Sequence, residues 1–437
     1  MLSSNPVVAY YVETTGGTNN ESAVALAPTM FNDQIVVGWT KSYGAESTDV
    51  FISKYDVLGN HLLTKVFRIS QNDYPCSMII TSDGKILIVG YSKSFTWLDL
   101  FISKFDANLN HEWTRLFYHN RSEIGFSVVE VPNGNYIIAG LTYTGGFPDL
   151  LLTAFDANGD LQWQTAMANE YCSQANSATK THDSAVVVTG FYAPNSSTRI
   201  PLISKFRNDG VHLWAKLMTL PYPAYGTAIT ETGDRNLAIA GVMFRPSSNT
   251  WDLFVAKFDS LGNNLWTRWI VDSRIDTAGI PVSICNVSAN RLMVTGTTSR
   301  WGINKDILIS MFDGGGGHIY SRVFGSDSLD KVSNIYSRGE GYLIVGSTKG
   351  WDAISQDILM ATFYSDGHTC TAVDTIYPQV NNLFPTMDTL SPQLYNPSQT
   401  AQSWTPNIFN ANPVSSFVCW EASGTVKEKQ PARKQNK

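Results

Sequence analysis

Aspartate is the residue type whose placement in this sequence most invites a chemical role. Six aspartates open a short apolar run in the same local setting, namely Asp49, Asp99, Asp149, Asp252, Asp306 and Asp357. A carboxylate at one repeated position more commonly accepts hydrogen bonds from turn or strand-end amides than binds a cation. The turns that begin at Asp56, Asp156 and Asp259 lack the full ligand set of a calcium loop and are typical of glycine hairpins. We therefore predict structural roles for these carboxylates.

Histidine also recurs at one place in the pattern, at His61, His111, His212, His318 and His368. Metal ligands must lie within about 2 Å of one point, whereas neighbouring strands are about 4.8 Å apart. Histidines in separate repeats are therefore unable to converge, and no metal site is predicted. The sequence also lacks the Gly-x-Ser-x-Gly, Gly-x-x-x-x-Gly-Lys and His-Glu-x-x-His motifs. We predict no catalytic residues and no cofactor.

The aspartates belong to a repeat that returns every 50 to 54 residues. Its copies include DVFISKYDVLGNHLLTKVF from Asp49 and DLFISKFDANLNHEWTRLF from Asp99, and a degenerate copy begins at Ile200. An apolar run ending in glycine precedes each copy, at Gly38, Gly90, Gly140, Gly190, Gly241, Gly296 and Gly346. A further short strand precedes each of these runs. Period-two alternation interrupted by glycine turns predicts β-strands and not helices.

Seven repeats of four strands, called A to D, predict an all-β fold, a seven-bladed β-propeller of four-stranded antiparallel blades with a C-terminal extension. Blades bury their faces against each other, so residues 1–368 should fold as one domain. The last blade needs a D strand. Val7–Glu13 is favoured for this position, because an unpaired N-terminal strand would leave an open edge. Thr369–Tyr377 is the rival candidate for that position.

Beyond the last repeat, residues 369–420 are predicted to form an extended segment packed on the propeller, and residues 421–437 a disordered basic tail. The chain has 5 cysteines, and an odd number leaves at least one thiol unpaired. Cys370 and Cys419 both lie beyond the last repeat and could form a disulfide with each other.

Composition argues against two classes of partner. The formal net charge of −6 provides no electrostatic reason to bind nucleic acid or an acidic membrane surface. No apolar run approaches the roughly 18 residues of a membrane span. The start, Met1–Pro6, lacks the charged and apolar regions of a secretory signal. We predict neither nucleic-acid binding nor membrane insertion.

The repeat carries a family likeness. Gly-x-Thr-x-Ser, then Asp-x-Phe-Ile-x-Lys-Phe-Asp-x-x-Gly-Asn, then Trp-x-x-x-Phe resembles the repeat of extracellular propeller proteins in bacteria and archaea, over residues 7–368. The resemblance implies varied binding or surface roles and an extracellular or cell-envelope location, with leaderless secretion as the alternative. The chain departs from the pattern at Ile200, which replaces the aspartate, and at Leu63 and Tyr320, which replace the outer-strand Trp.

Loop length distinguishes the two faces of the predicted disc. The A–B and C–D turns are tight, whereas the B–C and D–A loops are longer and emerge together on the other face. Long loops on a rigid scaffold commonly carry binding, and aromatic residues with arginine are typical anchors. The candidate binding residues are Trp97, Phe147, Trp251, Trp301, Trp351, Tyr74, Arg121, Tyr171, Tyr225 and Arg274. The alternative is that such rings pack their own loops, above all Trp301 and Trp351, which stand five residues after a strand-B glycine.

These patterns favour a non-catalytic interaction or scaffold protein that binds a protein or glycan partner through its loop-rich face and could form part of a larger assembly. The alternative is a carbohydrate-active enzyme, a glycosidase or lyase, with acidic residues at the axial pocket. Carboxylates with raised pKa clustered at the channel mouth would favour the enzyme.

Overall fold

The computed structural model describes residues 9–422, except 44–46, 94–95, 119–120, 144–145, 169–171, 272–282, 288–289, 299–304, 339–340, 352, 371–373, 377–378, 391–392, 396–399, 405–406 and 412–413. The described chain is all-β: its strands form seven sheets. No helix long and apolar enough to cross a membrane occurs in the described part of the chain.

The seven sheets are the predicted blades, each with four antiparallel strands in the order A, B, C, D from the axis outwards. The chain begins with β1 (Ala9–Gly16). Blades 1 to 3 are β2 (Glu21–Pro28), β3 (Gln34–Thr40), β4 (Asp49–Tyr55), β5 (His61–Arg68); β6 (Asn72–Ile80), β7 (Ile86–Lys93), β8 (Leu98–Phe105), β9 (His111–Tyr118); and β10 (Glu123–Glu130), β11 (Tyr136–Tyr143), β12 (Pro148–Phe155), β13 (Leu161–Ala168). Blades 4 and 5 are β14 (Cys172–Lys180), β15 (Ala185–Ala193), β16 (Ile200–Arg207), β17 (His212–Thr219); and β18 (Ala224–Glu231), β19 (Leu237–Arg245), β20 (Thr250–Phe258), β21 (Asn264–Val271). Blade 6 is β22 (Ser283–Val287), β23 (Arg291–Thr298), β24 (Asp306–Phe312), β25 (His318–Phe324), and blade 7 begins with β26 (Asp330–Arg338), β27 (Gly341–Thr348), β28 (Asp357–Tyr364).

The N-terminal strand completes the ring. β1 pairs antiparallel with β28, for example Val12 with Ala361, and so supplies strand D of blade 7 as predicted. The rival segment Thr369–Tyr377 contributes instead to blade 6 through β29 (Asp374–Ile376). The A strands of all neighbouring blades contact one another, including β2 of blade 1 with β26 of blade 7. The seven-bladed propeller is therefore closed around its axis.

The core lies between blades because B and C strands are buried on both faces. Strand β3 and strand β4 are almost wholly buried, as their apolar composition predicts. The D strands mix buried with half-buried residues, as in β5. Hydrophobic clusters join each blade to the next, as where Ile35 of blade 1 and Ile86 of blade 2 share one cluster. Blade contacts of this kind make the ring one cooperative unit.

The C-terminal segment adds a fifth strand to every blade. After β29 come β30 (Gln379–Leu383), β31 (Thr386–Leu390), β32 (Gln393–Tyr395), β33 (Thr400–Trp404), β34 (Asn407–Ala411) and β35 (Val414–Ala422). They pair in turn with the D strands of blades 6, 5, 4, 3, 2, 1 and 7. We call these seven strands the C-terminal belt. It covers the outer edge of each blade, an edge that would otherwise be open to strand addition from other chains.

A disulfide closes the belt. Cys370, just after strand C of blade 7, bonds to Cys419 in β35 of the same blade, with 5.8 Å between their Cα atoms. The chain between them pairs with the other six blades on its way. The covalent loop therefore runs along the whole circumference of the propeller.

Six of the seven C–D turns also pack on an aromatic residue of the preceding blade. Gly210, at φ +87°, lies so close to Trp163 that an added Cβ would stand 2.8 Å from its ring. The same arrangement joins Gly159 to Trp113, Gly262 to Trp214, Gly316 to Trp266, Gly367 to Tyr320 and Gly59 to Tyr11. Blade 2 is the exception: Leu109 takes the turn position at φ 63° and is buried beside Leu63, which replaces the preceding blade's aromatic residue. The outer-strand rings are therefore packing residues.

Candidate binding surface on the loop-rich face

The plain face of the disc is made of self-contained turns. The carboxylate of Asp56 accepts hydrogen bonds from the backbone amides of Leu58 at 2.9 Å and Asn60 at 2.8 Å. The corresponding carboxylates of Asp156 and Asp259 bind their own turn amides in the same way. These oxygens are engaged within the hairpin, which agrees with the structural role predicted for them.

The repeated histidines have structural partners. Nε2 of His61 lies 2.7 Å from the Thr64 hydroxyl, and the imidazole packs edge-on against Tyr55 with 5.5 Å between ring centroids. His111 and His318 repeat both contacts. Burial lowers the pKa of His61, His111 and His318. Within the described residues, no group of three or more His, Cys, Asp or Glu side chains could hold a metal ion.

Two of the strand-C aspartates bind arginine, a partner that the sequence did not indicate. Asp49 is fully buried and forms an ion pair with Arg68 Nη2 at 3.0 Å. Asp252, also fully buried, accepts from Arg245 Nη2 at 3.0 Å and from Trp269 Nε1 at 3.1 Å. Both arginines come from the same blade as their aspartate, so the pairs stabilise the ends of B, C and D strands at the loop-rich face.

A second set of buried carboxylates opens strand A, and sequence reasoning missed it. Asp73 is fully buried and accepts from the Ile69 amide at 2.7 Å and the Ser92 hydroxyl at 2.5 Å. Glu21, Glu123 and Asp330 occupy the equivalent position and are also buried. Burial raises the pKa of Glu21, Asp73 and Asp330. Glu21 lies 19 residues before its Thr40 partner, and Asp73 lies 19 before Ser92, so this constant spacing was the available signal.

At the junction of blade 7 with blade 1, the carboxyl group of Asp357 is a weaker acid than an ordinary aspartate. Asp357 is 7% exposed, and burial, with a further contribution from the negative charge of Glu21, raises its pKa to about 6. The Glu21 amide donates to the Gln356 carbonyl across the same junction at 2.6 Å. The raised pKa therefore belongs to the seam between two blades and to a group with little access to solvent.

Three predicted binding residues are exposed on adjoining loops of blades 2 and 3. Trp97 is 42% exposed and Phe147 is 52% exposed, and Arg121 is also exposed. The Leu98 amide donates to the Ser122 hydroxyl at 3.0 Å, which ties the loop of Trp97 to the loop of Arg121. We call Trp97, Arg121 and Phe147 the aromatic patch. It presents two rings and one cation to solvent.

Four other predicted binding residues pack against neighbouring rings. Tyr225 and Trp251 contact each other with centroids 5.3 Å apart, and Trp251 also contacts Phe244. Tyr74 stacks on Tyr91 at 5.2 Å. Trp351, at φ 50°, lies 5.2 Å from Phe324. These four rings are partly buried.

Three further predicted residues, Trp301, Tyr171 and Arg274, lie outside the described residues.

Comparison with known proteins finds solved structures of similar fold but assigns the chain to no family. No family model matches the chain, and no curated protein matches it. A puromycin hydrolase has a similar fold, with a TM-score of 0.51 and 11% identity over 80% of this chain and 54% of that chain. A polysaccharide lyase, Uly1, is similar with a TM-score of 0.48 and 9% identity over 78% of this chain and 90% of that one. A protein of unknown function from Dyadobacter fermentans is also similar, with a TM-score of 0.44 and 8% identity over 82% of this chain and 99% of that chain.

Proposed function

We propose that this protein is a non-catalytic binding platform that captures a protein or glycan partner through the loop-rich face of its propeller. The observation that carries the proposal is the aromatic patch, in which Trp97 and Phe147 stay exposed at matching loop positions of adjacent blades. Exposed rings beside an arginine are the side chains most often found at the centre of interfaces.

The energetics of the patch suit capture of a partner. Each ring keeps roughly 100 Å² of apolar surface in water, judged from its exposed fraction and the size of aromatic side chains. Covering that surface contributes about 2.5 kcal/mol for each ring, at about 25 cal/mol/Å². The hydrogen bond from the Leu98 amide to the Ser122 hydroxyl restrains the chain next to Trp97 and Arg121, which reduces the conformational entropy lost there on binding.

The carboxylates support binding over acid–base catalysis in this proposal. Glu21, Asp73, Asp330 and Asp357 have raised pKa values, yet each is at most 7% exposed. A general acid must reach its substrate through a hydrogen bond. Carboxyl groups enclosed at strand ends are poorly placed for that contact.

We further propose that the protein works in an oxidising compartment, outside the cell or in its envelope. The Cys370–Cys419 disulfide supports this location, because disulfides persist mainly in oxidising environments.

The test is capture of partners from native extract and from a glycan array by the full chain. Trp97→Ala and Phe147→Ala should each weaken capture at least tenfold without lowering the melting temperature. Phe31→Ala is the matched control, since Phe31 is 76% exposed in an A–B turn on the plain face. Equal loss of capture in the control, or full capture by both patch variants, would refute the proposal.

A further inference from the structure

Blade 4 lacks the aspartate that opens strand C in the other six blades. Ile200 takes its place, directly after Arg199. In blade 1 the corresponding Asp49 pairs with Arg68 at 3.0 Å. Arg199 has no such partner: among the described residues, its guanidinium forms no hydrogen bond and no ion pair, and its side chain is exposed. The departure from the repeat therefore leaves an arginine on the loop-rich face without an internal carboxylate.

Two aromatic rings hold the Arg199 side chain in place. Its Cζ atom lies 4.9 Å from the centroid of the Phe191 ring and 5.8 Å from that of the Tyr225 ring. The two rings meet edge-on with 6.2 Å between centroids. The Arg199 carbonyl also accepts from the Ala224 amide at 2.9 Å, which fixes its backbone where blade 4 meets blade 5. Cation–π contacts contribute about 0.5–1 kcal/mol at exposed sites, so the guanidinium is positioned before any partner arrives.

The rings around Arg199 continue as an apolar surface. Tyr225 contacts Trp251 at 5.3 Å between centroids, and Trp251 contacts Phe244 at the same distance. All three are half-buried, so part of each ring still meets solvent. Arg199 therefore presents a cation beside an apolar shelf, the same pairing of chemistry that the aromatic patch has on blades 2 and 3.

The exposed charges of the loop-rich face favour an acidic partner. Within the described loops and strand ends of this face, one carboxylate is exposed, that of Asp327. The exposed cations are Lys41, Lys93, Arg121, Arg199 and Lys349. The carboxylates that open strands A and C are each at most 7% exposed and offer an incoming partner little contact. Complementary charge of this kind steers association and selects the partner.

A protein segment fits these features better than an acidic polymer. The planar guanidinium donates two parallel hydrogen bonds to a carboxylate, while the neighbouring rings accept apolar side chains. A peptide supplies acidic and apolar side chains together. Nucleic acids and sulfated glycans carry charge at almost every unit, and the net charge of −6 of this chain repels such dense polyanions.

We propose that Arg199 binds a carboxylate of the captured partner, and that this partner is a protein segment with acidic side chains beside apolar ones. The inference rests on the proposed function, because it names the chemical class of the partner for the same face. The partner's carboxylate completes from outside the pair that the strand-C aspartate of blade 1 makes from within its own blade.

The probe is an array of random peptides of ten residues, incubated with the full chain with its disulfide intact. Bound peptides should be enriched in Asp and Glu together with Phe, Trp or Leu. For the tightest peptide, measured by fluorescence polarisation, Arg199→Ala should weaken binding at least tenfold with an unchanged melting temperature. Arg199→Lys keeps the charge but loses the two-pronged donor, so it should weaken binding at least threefold. Arg235→Ala is the matched control, since Arg235 is exposed in an A–B turn on the plain face, and it should leave the affinity unchanged.

Three outcomes would overturn the proposal: no enrichment of acidic residues among bound peptides, equal affinity of the Arg199→Ala and Arg235→Ala variants, or displacement of the peptide by heparin or polygalacturonate at lower concentration than by a second acidic peptide. The last result would identify an acidic glycan as the ligand of Arg199.

Failure of this inference is distinguishable from failure of the proposed function. If Trp97→Ala abolishes capture from native extract while Arg199→Ala captures normally, the acidic partner alone is wrong. If acidic peptides bind through Arg199 while both patch variants capture partners normally, the aromatic patch is wrong and the Arg199 site stands.

Discussion

Loss of the Cys370–Cys419 disulfide should release the C-terminal belt while leaving the blades folded. The bond joins residues 49 apart in sequence, which closes a loop of about 50 residues. The loop-closure entropy of such a crosslink corresponds to about 4 kcal/mol at 25 °C. The belt strands that pair with blades 1 to 6 have only three to five residues, so their pairing alone resists opening weakly.

The perturbation is Cys419→Ser, with Cys172→Ser as the control because Cys172 takes no part in a disulfide. A loss of about 4 kcal/mol raises the population of the open belt about a thousandfold, since each 1.4 kcal/mol is a factor of ten. Hydrogen exchange followed by mass spectrometry reports this opening segment by segment.

We expect the amides of β30 to β34 in Cys419→Ser to exchange about a thousandfold faster, with the B and C strands still protected. Exposure of the D-strand edges should also promote self-association. Unchanged exchange in β30 to β34, or simultaneous loss of protection in belt and blades, would refute the view that the disulfide holds a separate encircling element.

Three further changes test the packing and the electrostatics of the ring. Burial raises the pKa of Asp357 to about 6, so its ionisation should destabilise the native state as the pH rises from about 4 to 6. In denaturant titrations, Asp357→Asn should abolish this part of the pH dependence of the free energy of unfolding. Gly210→Ala should cost clearly more stability than Gly134→Ala, since both have positive φ but only Gly210 faces a ring, that of Trp163; equal losses in calorimetry would contradict this. Leu109→Ala keeps a non-glycine residue at φ 63° and should lower the free energy of unfolding by about 2–5 kcal/mol, because Leu109 is fully buried; a near-neutral result in calorimetry would show that the turn does not need the side chain.

The blades were predictable from sequence because their constraints fall on single residues. The glycine that ends the apolar run within strand B, such as Gly140, faces the carbonyl of Ile124 so closely that a Cβ would stand 1.8 Å from it. The neighbouring strand is bulged at this point, between Gly125 and Ser127. A neighbouring backbone carbonyl comes similarly close to Gly38, Gly90, Gly190, Gly241 and Gly346. Glycine is thus required at this place in six of the seven repeats, and its spacing reveals the blade number.

The belt was not predictable as seven added strands. Its pairing with D strands uses backbone groups, which every residue carries, so it leaves no repeating side-chain pattern. The segment could only be predicted to be extended. The pairing of Cys370 with Cys419 was also left open. The distance between the two thiols depends on the path of the chain between them, which the sequence alone does not give.

The candidate site was predictable only in part. Loop length and aromatic content pointed to Trp97, Arg121 and Phe147, which are exposed, and equally to Tyr225 and Trp251, which pack on each other. Sequence composition does not distinguish a ring that meets solvent from one that meets a neighbouring loop.

The measurement that bears most directly on the binding platform is a hydrogen-exchange footprint of the protein with a captured partner. Protection should appear in the loops around Trp97, Arg121 and Phe147, with the plain-face turns around Phe31 and Leu261, both exposed in the free protein, exchanging as before. Protection confined to the plain-face turns or to the belt would contradict the assignment of the loop-rich face as the binding surface.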